Sequence, residues 1–294
     1  MDLLNSAQSN QLLFLNSDLA TETAGGTKFF KLDSPLQARR GNRILCEVAE
    51  AQLPVSYYNV RNSNNTFSVT AQKASDSVDR TVTIYIPVGN YNVTELVAEL
   101  NSLMAAAVSA SFPFTSTFSF DAKTMKISLV LSVTGDSVSS ASVNSRTTCL
   151  KLIGFTGSES AVISTTVTFT GTNVVNLTHT MNIFVRTNLK CDNIDSTGTK
   201  SGYIAKIQVT ENFGEIVHYH NIESVKVQLA NSYIDVLEVH LEDDDGDIIE
   251  FNGVPFHMTF AFFYIEERVQ KYVKTMHDKM AELDNVHADM DDSD

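Results

Sequence analysis

The stretch Thr81-Val82-Thr83-Ile84-Tyr85-Ile86 alternates without a slip: Val82, Ile84 and Ile86 fall on one face of an extended chain, Thr81, Thr83 and Tyr85 on the other. Successive strand side chains point to opposite sides, so period two marks a half-buried strand. The same rhythm returns in Ile127, Leu129, Leu131 and Val133, interleaved with Ser128, Val130, Ser132 and Thr134. Working outward, Ile44–Tyr58 reads as one long or bulged strand broken at Pro54. Further runs are Val162–Thr170, Met181–Arg186, Tyr203–Val209, Glu215–Tyr219, Ser224–Leu229, Ile234–Leu241 and His257–Ile265. Many short strands separated by turn signals mean a sandwich or barrel rather than βαβ units.

Two segments leave that pattern. Asn92 with Glu95 forms a capping-box signal, and Leu96, Val97, Leu100, Leu103 and Met104 follow at helical spacing, which predicts one amphipathic helix. The second is the stripe Val269, Tyr272, Val273, Met276, Met280 and Leu283, near period 3.6, with Glu267 and Lys271 as a surface i,i+4 pair. It predicts a C-terminal helix that serves as a docking element. Past Leu283 the chain collects acids and loses its pattern, as disordered ends do.

A chain of 294 residues is long enough for one large β domain or two small ones. Hydrophobic residues make up 43% and charged residues 19%, so the body is globular with an uncharged polar surface of Ser, Thr and Asn. The net charge of −14 is uneven: Glu242–Glu250 holds six acids and no base, and Glu266–Asp294 nine acids against four bases. Those stretches account for −11 of it, and the rest of the chain is near neutral. A nucleic-acid backbone requires a positive field that this chain does not offer, so direct nucleic-acid binding is not expected. Cys46, Cys149 and Cys191 are odd in number and show no CxxC pairing, which suits a reducing compartment and argues against a disulfide or zinc framework. The start, Met1-Asp2-Leu3-Leu4, lacks the basic region of a signal peptide. No apolar run approaches the ~20 residues of a membrane span. Asn64, Asn92 and Asn176 fit Asn-x-Ser/Thr and are read as chance matches.

Fragments that tempt a chemical reading fail on context. Gly135-Asp136-Ser137 follows a strand with no helix pattern after it and reads as a hairpin turn, not a hydrolase nucleophile. Gly198-Thr199-Lys200-Ser201 lacks the glycines that a phosphate loop needs before its lysine. His218 and His220 share one strand face and could hold a metal, but no third ligand is evident nearby in sequence. The acidic run Glu242–Asp247 is the best calcium candidate, yet Leu241 and Asn252 stand where an EF-hand loop needs acids, and the flanks are strands. Asp245-Gly246 between two apolar runs is instead a hairpin signal, and a type I′ turn is expected there. No catalytic, cofactor-binding or metal residue is assigned, and no enzyme activity is expected.

Several stretches form an ordered set: Leu53-Pro54-Val55-Ser56-Tyr57-Tyr58-Asn59, Asn64-Asn65-Thr66-Phe67, Ile86-Pro87-Val88-Gly89-Asn90-Tyr91, Leu152-Ile153-Gly154-Phe155, Ile183–Leu189 and Leu241–Phe256. Across roughly residues 40–265 this set resembles the penton or minor capsid proteins of virophages and polinton-like viruses, the mavirus group in particular. The resemblance implies a single jelly roll, five copies per vertex as a homopentamer, and a double-jelly-roll major capsid protein as neighbour. It also implies a place in the virion, with assembly inside the host cell. It brings no catalytic residues, and the first 40 residues and the acidic tail match nothing in it.

The expected architecture is all-β: an N-terminal arm over 1–26, one jelly-roll sandwich over 27–265, and a C-terminal helix and acidic tail over 266–294. A helix-plus-strands insertion or elaborated connection is expected at about 90–157. The alternatives are another minor capsid or spike-base protein, or a jelly roll that binds carbohydrate or a receptor. The absence of Trp weakens the sugar-binding reading.

Overall fold

The computed structural model describes residues 9–39, 41–109, 111–144, 146–157, 160–161, 165–178, 180–191, 193 and 202–266. In chain order the strands begin with β1 (Ser9–Asn16), β2 (Glu22–Ala24), β3 (Thr27–Gln37) and β4 (Asn42–Pro54). There follow β5 (Thr66–Lys73), β6 (Arg80–Tyr85), α1 (Val93–Ala107), β7 (Thr115–Asp121), β8 (Lys126–Ser132) and β9 (Val138–Val143). Next come α2 (Leu150–Ile153), β10 (Ser160–Ala161) and β11 (Thr166–Thr170). The last strands are β12 (Asn182–Thr187), β13 (Tyr203–Gln208), β14 (Ile216–His220), β15 (Val227–Gln228), β16 (Tyr233–Glu242) and β17 (His257–Glu266). The chain divides into two compact units: one built from residues up to Ser56 and from Thr180 onward, the other from Tyr57–His179.

The first unit is a jelly roll, and its strand order proves the point. Its eight principal strands are, in sequence, β1, β3, β4, β12, β13, β14, β16 and β17. One sheet runs β1-β17-β4-β14 and the other β3-β16-β12-β13, which in positional terms is 1-8-3-6 and 2-7-4-5. First pairs with last, second with seventh, third with sixth and fourth with fifth, all antiparallel. A long hairpin wrapped on itself produces that nesting. Short β2 extends the second sheet beside β3, and β15 pairs with β4. The alternation fills the interior: Ile44, Cys46, Val48 and Leu53 of β4, Leu237, Val239 and Leu241 of β16, and Met258, Phe260 and Phe262 of β17 are all buried. Pro54, which has no N–H to donate, sits at the last position of β4.

Two boundaries differ from the sequence reading. Ser9–Asn16, taken as part of an arm over 1–26, is the first strand of the roll, in register with β17 from Ser9↔Tyr264 to Asn16↔His257. Its signal was weak because only Leu15 is buried, while Leu12 and Phe14 face outward at 51% and 74% exposure. The second compact unit spans 57–179 rather than about 90–157. It lies in sequence between β4 and β12, the third and fourth strands of the roll. The expected helix stripe from Val269 to Leu283 lies outside the described residues.

The second unit holds a four-stranded sheet, β10-β9-β5-β6, a three-stranded sheet, β11-β8-β7, and α1. Here the opening alternation reads out directly: Ile84 and Ile86 are buried, and so are Ile127, Leu129 and Leu131. Asn92 caps α1 with both hydrogen bonds of a capping box, accepting from Glu95 N–H while the Glu95 carboxylate accepts from Asn92 N–H. The helix buries Leu96, Leu100 and Met104. Asn101 fixes it to β7 by accepting from Phe118 N–H at 2.7 Å and donating to Phe118 O at 2.9 Å.

Candidate functional site

Leu241 ends the alternation of β16, and five of the next six residues are acids. Their side chains turn onto backbone donors. Asp243 N–H donates to Asp247 O at 2.9 Å and Gly246 N–H to Asp243 O at 3.1 Å. Asp243 Oδ1 accepts from the N–H groups of both Asp245 and Asp247 at 2.9 Å. Gly246 has φ +84°, while Asp244 and Asp245 are not in the positive-φ region. The hairpin loop is therefore a four-residue turn, Asp243–Gly246, closed by a left-handed glycine, not the expected type I′ turn centred on Asp245-Gly246. Type I′ geometry occurs ten residues from Asp243's neighbour Glu242, at Asn252 (φ +52°) and Gly253 (φ +81°), with Val254 N–H donating to Phe251 O.

Within the first unit, the segment between β16 and β17 clasps the two stretches of chain that flank residues 57–179 in sequence. At the departure point, Ser56 Oγ–H donates to Phe251 O at 2.7 Å and Asn252 Nδ2–H to Ser56 O at 2.6 Å. At the return point, Asp244 Oδ2 accepts from Thr180 Oγ1, Met181 N–H and Asn182 N–H at 2.8, 2.8 and 3.1 Å, and its Oδ1 from Asn182 Nδ2 at 2.7 Å. Partial burial pushes the Asp244 carboxyl up, but the Asn182, Thr180 and backbone donors outweigh it and hold the group below the usual aspartate value.

Beside the clasp, Glu242 is 4% exposed and gathers three partners. Tyr203 O–H donates to Oε2, and Arg186 Nη1 and His240 Nε2 each lie 2.9 Å from Oε1. Burial raises its pKa, and the Tyr203 and Arg186 hydrogen bonds, the Arg186 charge and His240 more than reverse that, so the carboxyl sits below the ordinary glutamate range. Arg186 also lies over the Tyr203 ring, 5.5 Å from its centroid. Sequence reading counted Glu242 as one acid among six. Its partners come from β12, β13 and β16, and only the register brings them together.

His218 and His220 do share a face, pointing out from β14. The register adds a third imidazole: His218 stands opposite Gln52, and Gln52 opposite His257, so both histidines flank one glutamine on the outer face. His220 Nδ1 is 3.5 Å from Glu50 Oε1, with both side chains more than half exposed. Among the described residues no group of three or more His, Cys, Asp or Glu is arranged to hold a metal ion. No described helix is long and apolar enough to cross a membrane. The three cysteines are buried thiols, and desolvation pushes Cys149 up to about 12, so it is a poor nucleophile.

Two results follow for this loop. Gly246 meets nothing within 4 Å of an added Cβ, so Gly246→Val tests backbone strain alone. A loss of about 1–3 kcal/mol is expected from the denaturant midpoint, and a neutral effect would contradict the left-handed assignment. Because the Asp243 and Asp244 carboxylates already accept protein donors, EDTA is expected to leave the melting temperature unchanged within about a degree. A larger drop restored by calcium would show a real cation site.

No known family model matches the sequence, and no curated protein matches it. Several solved structures are similar to it, among them the following two. One is the crystal structure of mavirus penton protein, at 11% identity and TM-score 0.45, covering 87% of this chain and 100% of that one. The other is the cryo-EM structure of the Sputnik virophage, at 11% identity and TM-score 0.36, covering 88% of this chain and 99% of that one. The all-β jelly roll rests on the strand order given above.

Proposed function

We propose that this protein is a structural capsid protein that forms homopentameric vertices of an icosahedral DNA virus. The observation that carries the reading is the nested 1-8-3-6 and 2-7-4-5 roll with a folded unit spliced between its third and fourth strands. The ordered sequence motifs of the penton family fall along that same chain. The surface supports it. The inserted unit, residues 57–179, has seven basic and seven acidic residues, a net charge of zero. Weakly charged faces suit repeated contacts between copies, because a charge buried unpaired at an interface is costly. One heterologous contact repeated around a closed rotation then makes a ring. A double-jelly-roll major capsid protein is the neighbour that such a vertex would meet, in particles assembled inside the host cell.

Five copies of a 32.4 kDa chain make 162 kDa. Native mass spectrometry at micromolar concentration is expected to show that species, and negative-stain images five-fold rings. A stable trimer as the dominant form would overturn the penton assignment. Specific retention on a glycan array, with no oligomer, would replace it with a carbohydrate-binding module.

A further inference from the structure

We infer that the two free edges of one jelly-roll sheet, β1 and β14, pair with each other between neighbouring copies of this chain, so that the sheet runs on from copy to copy. The inference rests on the homopentamer reading and names the contact that builds it. Among the described residues β1 pairs with β17 alone and β14 with β4 alone, which leaves one side of each strand open. In an antiparallel pair the backbone groups of alternate residues turn toward the partner. Ser17 N–H donates to Phe256 O, so the odd-numbered residues of β1 face β17, and Asn10, Leu12, Phe14 and Asn16 turn theirs to the open edge. On β14, Val55 N–H donates to Glu215 O and Asn221 N–H to Ala49 O, which turns Ile216 and His218 to the open edge.

Direction and facing both fit. Every neighbour in β1-β17-β4-β14 is antiparallel, so β1 and β14 run in opposite senses. A rotation about an axis along the strands keeps those senses and sets β1 of one copy antiparallel to β14 of the next. On both edges the outward backbone groups belong to residues whose side chains lie on the outer face, since Leu15 and Val217 are the buried ones. Pairing therefore continues the sheet without turning a core side chain to water. Charge selects a second copy as the occupant. Ser9–Asn16 and Ile216–His220 hold no Asp, Glu, Lys or Arg, in a chain that is 19% charged, and neither strand is bulged. Monomeric proteins guard open edges with charges and bulges, and two uncharged edges meet without burying an unpaired ion. Apolar exposure follows the same two edges. Leu12, Phe14 and Leu19 are more than half exposed along β1 and the turn after it, and Ile216, Ile222 and Val225 are exposed along β14 and its turn. That second turn is held in place, with Asn221 Nδ2 and Ser224 Oγ both donating to the Glu47 carboxylate at 3.1 Å.

The test blocks one edge at a time in the full chain: Leu12→Lys with Phe14→Lys on β1, and Ile216→Lys with His218→Lys on β14. In native mass spectrometry each variant alone is expected to be a monomer, with a melting temperature within about two degrees of the native chain. If a lysine pair lowers the melting temperature further, Phe14→Lys or Ile216→Lys alone repeats the measurement with a smaller change. Mixed in equal amounts at about 100 μM, the two variants are expected to form a heterodimer of two 32.4 kDa chains and nothing larger, because each keeps the edge that the other has lost. A mixture that stays monomeric would overturn the inference, and so would a β14-blocked variant that dimerises alone, which would mean that β1 pairs with β1. Variants that assemble as the native chain does would also overturn it while leaving the pentamer standing. A native trimer abolished by both blocks would keep the edge contact and remove the pentamer, and a native chain that is monomeric at 100 μM would remove both.

Discussion

Replacing Phe260 with alanine is expected to destabilise the jelly roll by about 3–5 kcal/mol, the usual cost of truncating a fully buried aromatic ring. Phe260 is 0% exposed. It sits in register between Leu13 of β1 and Val48 of β4, and its ring stacks with Phe262 at 6.3 Å between centroids and 18° between planes. The cavity left behind would be walled by three strands of one sheet, which cannot close on it without losing their register. The proper control is Phe263→Ala, one residue on. That ring faces outward, is half-buried and carries the Lys226 ammonium 4.4 Å from its centroid. An exposed cation–π contact contributes on the order of 0.5–1 kcal/mol, so this loss should be several times smaller. Guanidinium denaturation of both variants checks the ordering. Equal losses would mean that the facing of β17 is reversed, and with it the assignment of Leu12 and Phe14 to the outside.

That facing explains which parts of the fold were legible from residues alone. β6 and β8 each have one clean apolar face and bear out their period-two readings: Ile84 and Ile86, and Ile127, Leu129 and Leu131, are buried. Strand β1 was missed because an edge strand needs only half of its residues inside, and Leu12 and Phe14 blur the alternation. The nesting of eight strands was out of reach too, since strand order depends on contacts between residues as distant as Ser9 and Tyr264. The site divides the same way. The acidic run was visible, and so was the turn near Gly246. The use of each acid was not. Asp244 finds its donors 62–64 residues upstream in sequence, and Glu242 takes partners from two other strands. A run of acids looks alike whether it faces water, calcium or backbone N–H groups.

Glu242 gives the sharpest electrostatic expectation. Glu242→Leu removes the one acceptor shared by Tyr203, Arg186 and His240, leaving their polar atoms around an apolar side chain. Truncating one member of a buried charge pair costs about 2–5 kcal/mol. The Arg186 side chain is 45% exposed and can turn to water, which discounts the pairing, so about 2–4 kcal/mol is expected. Glu242→Gln keeps the shape and the oxygen and should cost less, and it isolates the charge. Because the Glu242 and Asp244 carboxyls both lie below their ordinary values in the folded protein, each contributes stability that is complete above those values. That stability is lost as pH falls through the lowered folded values. The native chain should therefore weaken from about pH 4.5 downward, and Glu242→Gln should flatten part of that acid limb while leaving the neutral plateau lower. Melting temperatures of the native chain and of Glu242→Gln and Asp244→Asn, taken every half unit from neutrality to about pH 3, decide the matter. If all three curves fall in parallel, neither carboxylate is held ionised by the partners named here, and the acid limb belongs to other groups.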